Sequence, residues 1–345
     1  MNVLVDMTHP AHVHQFKNAI RLLRADGHEV LVTARNKDVT LSLLDSLGIK
    51  YTNVGRYKQS RLGKALEMLV IDYKLYKIAK HFNPDVLVGG AGNVYVAHVS
   101  KVLRKPSIIF TDSEHARIQN FLSFPFASTV CTPSCFRKDL GKKQVRYDGY
   151  HELAYLHPNY FKPKPSILAE LGLSPQDRFI VVRFVSWGAS HDMGQRGITH
   201  PKELVSRLEP YGRVLITSEK KLDGDLDKYR ITVAPEKLHD LLYYATLYIG
   251  EGATTASECA VLGTPAIYVN TLRLGYLDEQ ESKYGLVYCY SDPHQNQDEI
   301  LAKAVELLQQ DDIKQQWRLK RDKLLADKID VTRFMVDLVL SQMPD

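Results

Sequence analysis

The chain predicts an α/β fold made twice over, as two Rossmann-like halves each built on a parallel sheet. Three observations carry that expectation. Short apolar runs rich in Val, Ile and Leu alternate with amphipathic stretches, as they do when strands are covered by helices on both faces. The alternation stops at a proline-rich stretch and then begins again. At 345 residues the chain is long for one domain and suits two of roughly 150 to 180 residues.

The first series of strands is read at VLVDM (3–7), EVLVTA (29–34), DVLVGG (85–90), PSIIFT (106–111) and ASTVCTP (127–133). Between them, HQFKNAIRLLRADG and DVTLSLLDSLG have helical spacing and end in Gly, the usual residue just past a helix C-terminus. YHELAYLHPNYFKPKP, with prolines at 158, 163 and 165, reads as the linker, which puts the division near residue 158. A second series follows: RFIVVRF (178–184), GRVLITS (212–218), ITVAP (231–235), TLYIGE (246–251), PAIYVN (265–270) and LVYCY (286–290). The charged stretch IKQQWRLKRDKLLADK reads as a helix with a solvated face, and a terminal amphipathic helix begins near Asp330. The expected domains are therefore 1–158, 159–330 and a terminal segment 331–345.

Composition narrows the function classes. Hydrophobic residues at 44% and charged residues at 25% fit a soluble globular protein and exclude a disordered or fibrous chain. The opening MNVLVDMTHPAHVH has no basic segment leading into an apolar one, and no run reaches the roughly 18 apolar residues of a membrane span. A cytoplasmic protein is expected, with its cysteines (131, 135, 259 and 289) reduced. The net charge of +5 permits an anionic partner without naming it.

In open parallel sheets, ligands collect outside the carboxyl ends of the strands. That rule selects His9, His12 and His14 after the first strand, Gly92 and Asn93 after DVLVGG, and Asp112, Glu114, His115 and Arg117 after PSIIF. In the second half it selects Arg183, Ser186, Trp187, Ser190, His191 and Arg196, then Ser218 and Lys220, then GEGATTASE. Two rows of polar loops are expected to face one another across a cleft. Gly252, Ala253, Thr254 and Thr255 would start a helix whose free amides can take a phosphate. The turn has neither the Walker spacing nor GxGxxG, which argues against an ATPase or a dinucleotide dehydrogenase. Thr255-Ala-Ser-Glu258 fits a T-x-x-E capping box, so Glu258 is read either as a cap or as an acceptor for ribose hydroxyls. HxxHxH lacks a matching carboxylate motif and CxxxC lacks a second ligand pair, so no metal is expected. Asp112, Glu114 and His115 after an apolar strand are read either as a solvated turn or as a cluster suited to general acid–base work on a sugar.

Taken together, DMTHPAHVHQFKN, FTDSEHA, YDGYHELAYLHP, RFVSWGASHD and GEGATTASECAVLGTPAIYV resemble the GT-B nucleotide-sugar enzymes. More narrowly they resemble a prokaryotic family of unknown function related to UDP-N-acetylglucosamine 2-epimerases and the lipid-linked glycosyltransferases of peptidoglycan synthesis. The resemblance implies a GT-B architecture, with two Rossmann-like domains facing across a cleft and a C-terminal helix crossing back to brace the first. It implies that 1–158 faces the acceptor or sugar and that 159–330 binds the nucleotide. It further implies ribose binding by Glu258, diphosphate binding by Gly252 to Thr255, approach to the phosphates by Arg183, Ser186 and Ser190, and base stacking along Val233 to Leu238.

The expected activity is glycosyl transfer from a UDP-sugar, with no cofactor required and with His12 or the Asp112/Glu114 pair as base. The acceptor would be a glycan or a lipid-linked sugar, with peripheral contact at the inner membrane face; a further reading is a basic membrane-surface binding protein, in which 55–82 is either an interfacial helix or a first-domain helix with a basic face, and 121–128 is either a lipid-acceptor lip or core. Nucleic acid is not expected, because no stacking motif or known module is present. The alternative is an epimerase using Asp112, Glu114 and a His. It is disfavoured because GGAGNVY lacks the acid of the epimerases' GDTxS turn, and TDSEHAR stands where they have HxEAGLR.

Overall fold

The computed structural model describes residues 1–56, 61–185, 197–218, 222, 224–292 and 297–342, leaving aside the side chains of 56 and 61–66. The chain divides into two units, Met1–Tyr155 with Ile329–Asp345, and Leu156–Lys328.

Unit 1 runs β1 (Asn2–Met7), α1 (Pro10–Ala25), β2 (Glu29–Asn36), α2 (Thr40–Ser46), β3 (Thr52–Arg56), α3 (Arg61–Phe82), β4 (Val86–Gly89), α4 (Val94–Leu103), β5 (Ser107–Phe110), α5 (Arg117–Ser123), β6 (Thr129–Pro133), β7 (Gln144–Tyr147) and α6 (Leu153–Leu156). The strands form one parallel sheet in the order β3-β2-β1-β4-β5-β6-β7. Asp6 of β1 lies opposite Thr33 of β2 and Gly89 of β4. Alternate residues bury opposite faces. Leu4, Leu87 and Ile109 join a core with Ile71 and Leu75 of α3 and Val96 and Val99 of α4. Val3, Val5, Val88 and Phe110 meet Phe16 and Ile20 of α1 on the other face.

α1 ends because Gly27 takes the left-handed conformation (φ 84°), which residues with a Cβ rarely adopt. β3 and β7 are strands that the apolar runs did not announce. Both are edge strands, and their polar sequences, TNVGR and QVRY, fit an edge rather than a buried centre.

Unit 2 runs α7 (Ser166–Glu170), β8 (Phe179–Phe184), α8 (Pro201–Leu208), β9 (Arg213–Ser218), α9 (Gly224–Asp227), α10 (Leu238–Tyr244), β10 (Leu247–Gly250), α11 (Ala253–Leu262), β11 (Ala266–Val269), α12 (Gly275–Ser282), β12 (Val287–Tyr290), α13 (Gln297–Leu308) and α14 (Ile313–Asp327). Its parallel sheet has the order β12-β11-β10-β8-β9. The strand expected over 231–235 does not form. That segment touches β9 through a single bridge, Ile216 to Arg230, and Pro235, which has no N–H to give a ladder, instead opens a turn of 3₁₀ helix. α14 is charged outside, but it buries Ile313, Trp317 and Leu324, and the Trp317 indole donates to the Leu286 carbonyl at 2.8 Å.

The last helix, α15 (Val331–Leu340), belongs to unit 1. Asp330 caps it by accepting from the Arg333 amide at 3.0 Å. Its Thr332 hydroxyl and the Asn18 amide of α1 both donate to the Ala154 carbonyl, at 2.6 and 2.9 Å, which ties α15, α1 and α6 at one oxygen.

Candidate functional site

In unit 1 the chain leaves β1 toward β2 on one side and toward β4 on the other, so the strand order reverses between β1 and β4. Ligand crevices open at the carboxyl ends of such a pair. His9 caps α1 there, its ring accepting from the Ala11 amide at 3.2 Å, and Pro10 takes the first helical position, where no N–H is needed. His12 is buried one turn in, with its Nδ1 accepting from the Thr8 amide at 3.3 Å. Its ring lies over Gly90, and any Cβ at 90 would fall 2.5 Å from the His12 Cδ2. Burial, reinforced by His9, Lys37 and His151 nearby, pulls the imidazole from 6.5 down to about 3, while a hydrogen bond with the Ala91 backbone acts weakly the other way. The ring is therefore neutral, with Nδ1 the acceptor.

Asn93 is turned inward. It caps α4 by accepting from Val96 at 3.2 Å, and its amide donates to the Asp6 carbonyl (2.9 Å) and carboxylate (2.8 Å). The Thr33 hydroxyl adds a 2.5 Å bond to the same carboxylate. Burial raises the Asp6 carboxyl against the lowering pull of these bonds. Gly92, next to this knot, has a positive φ of 73°.

The segment after β5 separates its acids. Asp112 turns to His151, 3.3 Å from Oδ2 to Nδ1, and also accepts from the Ser113 hydroxyl at 3.1 Å. Burial opposes its charge, yet the His151 ring, by charge and by hydrogen bond, holds Asp112 at about 2. Glu114 turns away to the chain beyond β6. Its carboxylate accepts from the Arg137 amide at 2.5 Å, and its carbonyl accepts from Lys138 Nζ at 2.8 Å. His115, half-buried, stays in the loop before α5. The Asp112/Glu114 pair expected from the sequence is thus divided between two neighbourhoods. His151, which sequence reasoning passed over, is instead the partner of Asp112. Only its place inside YDGYHELAYLHP, beside the proline-rich linker, marked it.

In unit 2 the order reverses between β8 and β10. Arg183 is the penultimate residue of β8, and its carbonyl accepts from the Glu251 amide at 3.2 Å. Glu251 is buried, and its carboxylate accepts from Val185 N, just after β8, at 2.9 Å and from Ile198 N at 3.0 Å. Ser186, Trp187, Ser190, His191, Arg196 and Lys220 lie outside the described residues.

α11 starts at Ala253 with Gly252 as its N-cap. No side chain caps it, and no acid lies in its first turn. The capping-box reading of Thr255 and Glu258 is therefore corrected. Thr255 is already the third helical residue and buried, because the extended Gly252 (φ −89°, ψ 113°) occupies the boundary. Glu258 pairs with His239 of α10 instead, 2.9 Å from Oε1 to Nε2, with both side chains buried. Val233 and Leu238 are half-buried on the approach to α10. Glu251 and His239 were not expected as site residues; an acid between two glycines was the only sign of the first.

The two switch points offer different chemistry. In unit 2, uncapped amides, the Arg183 strand end and a buried acid one turn inside α11 can receive a phosphate with a polar group attached. In unit 1, imidazoles and a carboxylate can move protons. Among the described residues, no group of three or more His, Cys, Asp or Glu is placed to hold a metal ion, and no helix is long and apolar enough to cross a membrane.

Comparison with known proteins agrees on the fold. The chain is 25% identical over 280 residues to an uncharacterized protein of Methanocaldococcus jannaschii, covering 77% of this chain and 81% of that one. It is 25% identical over 266 residues to the UDP-N-acetylglucosamine–N-acetylmuramyl-(pentapeptide) pyrophosphoryl-undecaprenol N-acetylglucosamine transferase of Pediococcus pentosaceus, covering 70% of each. Among solved structures it resembles the UDP-GlcNAc 2-epimerase of Neisseria meningitidis bound to UDP-GlcNAc (TM-score 0.70, 11% identity, 99% of this chain and 100% of that one). It also resembles the spinosyn forosaminyltransferase SpnP (TM-score 0.65, 16% identity, 99% of each chain). These likenesses identify the two-domain GT-B fold. A family model matches residues 1–343, and the chain belongs to that family, the "Protein of unknown function (DUF354)".

Proposed function

We propose that the protein is a glycosyltransferase that takes its donor sugar from UDP. The observation that carries this reading is the start of α11: a ten-residue helix after β10 with no side-chain cap, and a buried acid, Glu258, one turn inside it. The amides of Ala253, Thr254 and Thr255 would receive the diphosphate, and Glu258 would accept from the ribose hydroxyls. Arg183, Ser186, Ser190 and Lys220 would add charge and donors, and the segment from Val233 to Leu238 would meet the base. As the bond to the sugar breaks, charge grows on the leaving diphosphate, and preorganised N–H groups favour that change over the ground state. No resident cofactor is invoked. The curated transferase and the epimerase bound to UDP-GlcNAc support the choice of a nucleotide-sugar.

For the acceptor we propose a lipid-linked or other membrane-borne glycan, met at the inner membrane face. Leu69 and Tyr73 of α3, Val102 of α4, Ile118 and Phe121 of α5 and Phe126 are large apolar side chains that lie exposed. The three helices pack in that order, with Lys74, Lys77, Lys101, Arg104 and Arg117 among these residues. Exposed apolar groups and cations carried on the same segments suit an anionic lipid surface.

Thermal unfolding tests the donor. UDP and UDP-N-acetylglucosamine should raise the midpoint, while AMP should leave it unchanged. Equal shifts from all three, or none, would contradict the proposal. A second reading, epimerisation, is favoured by the TM-score of 0.70 to an epimerase. Incubation with UDP-N-acetylglucosamine in heavy water decides between them, since only epimerisation puts deuterium at C2 without an acceptor.

A further inference from the structure

Resting on the UDP reading above, we propose that His239 is a positioning residue: it holds the Glu258 carboxylate as a fixed acceptor and so makes unit 2 prefer a ribonucleotide to its 2′-deoxy counterpart. Everything the inference uses lies within unit 2, on α10, α11 and their immediate neighbours.

Three observations lead there. The His239 Nε2 lies 2.9 Å from Glu258 Oε1, between side chains that are only 3% and 7% exposed, so water does little to hold that carboxylate. The role asks only for an N–H at Nε2, which the charged ring and one of the two neutral tautomers both supply. The imidazole is itself held. The Phe161 ring meets it edge to face, 6.4 Å between centroids and 86° between planes, and the neighbouring Asp240 accepts from the Lys164 amide at 2.8 Å. The helices are also tied elsewhere. The Thr264 hydroxyl, just past α11, donates to the Leu242 carbonyl of α10 at 2.8 Å, and Gln280 of α12 donates to the hydroxyl of Ser257, the residue before Glu258, at 2.8 Å.

The consequence concerns freedom. A glutamate side chain turns about three bonds, and one without an anchor would lose that freedom on binding or swing to meet whatever hydroxyl is offered. Anchored through one oxygen, a carboxylate still has acceptor positions enough for His239 and a vicinal diol together. A nucleotide lacking the 2′-hydroxyl leaves one of those positions unfilled in a buried place, which is how a site built for a hydroxyl rejects its absence. Without the anchor the carboxylate turns away to other partners, and the penalty for the missing hydroxyl goes with it.

Calorimetric titration of UDP and 2′-deoxy-UDP into the full chain tests this, with the wild type compared to His239→Ala, His239→Asn and His239→Gln. Glutamine carries an amide N–H out to the reach of Nε2, whereas asparagine stops at the reach of Nδ1. The wild type and His239→Gln should prefer UDP by about tenfold or more, and His239→Ala and His239→Asn by less than about threefold, with affinity for 2′-deoxy-UDP the same in all four. An undiminished preference in His239→Ala and His239→Asn overturns the role of His239 and leaves the donor reading standing. So does an equal loss of affinity for both nucleotides, which a merely structural histidine would give. Should His239→Ala fail to fold, asparagine against glutamine decides. A wild type that binds UDP and 2′-deoxy-UDP alike overturns the inference while sparing the diphosphate site at the start of α11. A wild type that binds neither removes the donor reading and the inference together.

Discussion

The ring of His12 rests on Gly90 so closely that a single methyl group at position 90 would lie 2.5 Å from its Cδ2. Both residues sit where the strand order reverses. Gly90→Ala should cost roughly 1 to 3 kcal/mol through overpacking of a ring with no room to retreat. Urea denaturation measures it. His12→Ala in the same chain should recover part of the loss, because the two changes are coupled. Strict additivity would show that the contact is not what strains the variant.

The buried, neutral His12 makes stability depend on pH. The unfolded chain takes up this proton near 6.5, whereas the folded chain refuses it until about 3. Between those values the unfolded state binds more protons. The contribution is therefore complete above about pH 6.5 and is lost as pH falls toward 3, by an amount on the order of a few kcal/mol. Denaturation midpoints from pH 7 to 4 should fall more steeply for the wild type than for His12→Gln. Parallel curves would contradict the assignment.

Glu251 accepts from two amides, Val185 and Ile198. Glu251→Ala removes both acceptors, and losing such buried bonds costs about 1 to 3 kcal/mol each. Amide exchange should show Val185 and Ile198 at least about tenfold less protected, while Leu4 and Leu87 of the other unit keep their rates. Unchanged protection would mean that other groups hold these two amides.

The apolar side chains on α3, α4 and α5 predict association with membranes. Flotation with vesicles containing phosphatidylglycerol should carry the protein, and less of it at high salt. Each of Ile118→Ser and Phe121→Ser should weaken binding by about tenfold, in line with the transfer energy of one large apolar side chain. A wild type that stays at the bottom of the gradient would remove the membrane from the account.

Much of the fold was legible because buried parallel strands are apolar along their whole length, as VLVDM, DVLVG and TLYIG are. Edge strands are exposed on one side, so β3 and β7 left no such trace. The segment 231–235 looked apolar enough to be a strand, but it pairs at a single bridge. The site was harder to read because its partners are distant in sequence. Asp112 could be located after a strand, yet nothing local says that it turns to His151 while Glu114, two residues on, turns to the Arg137 amide. The spacing of Thr255 and Glu258 fitted a cap, and the helix starts three residues earlier than that cap requires because glycine serves as the N-cap. Spacing sees one helix, whereas the His239 partner of Glu258 stands on another.

The claim on which the rest depends is that unit 2 binds a uridine nucleotide through α11 and Glu258. Calorimetric titration of UDP into the wild type and into Glu258→Gln tests it most directly. The glutamine can still accept from His239, so stability should change by no more than about 1 kcal/mol. The account predicts one UDP site in the wild type and at least about tenfold weaker binding in Glu258→Gln, as expected for a lost charge-assisted bond to ribose. Equal affinity in the two proteins, or no UDP binding by the wild type, would contradict it.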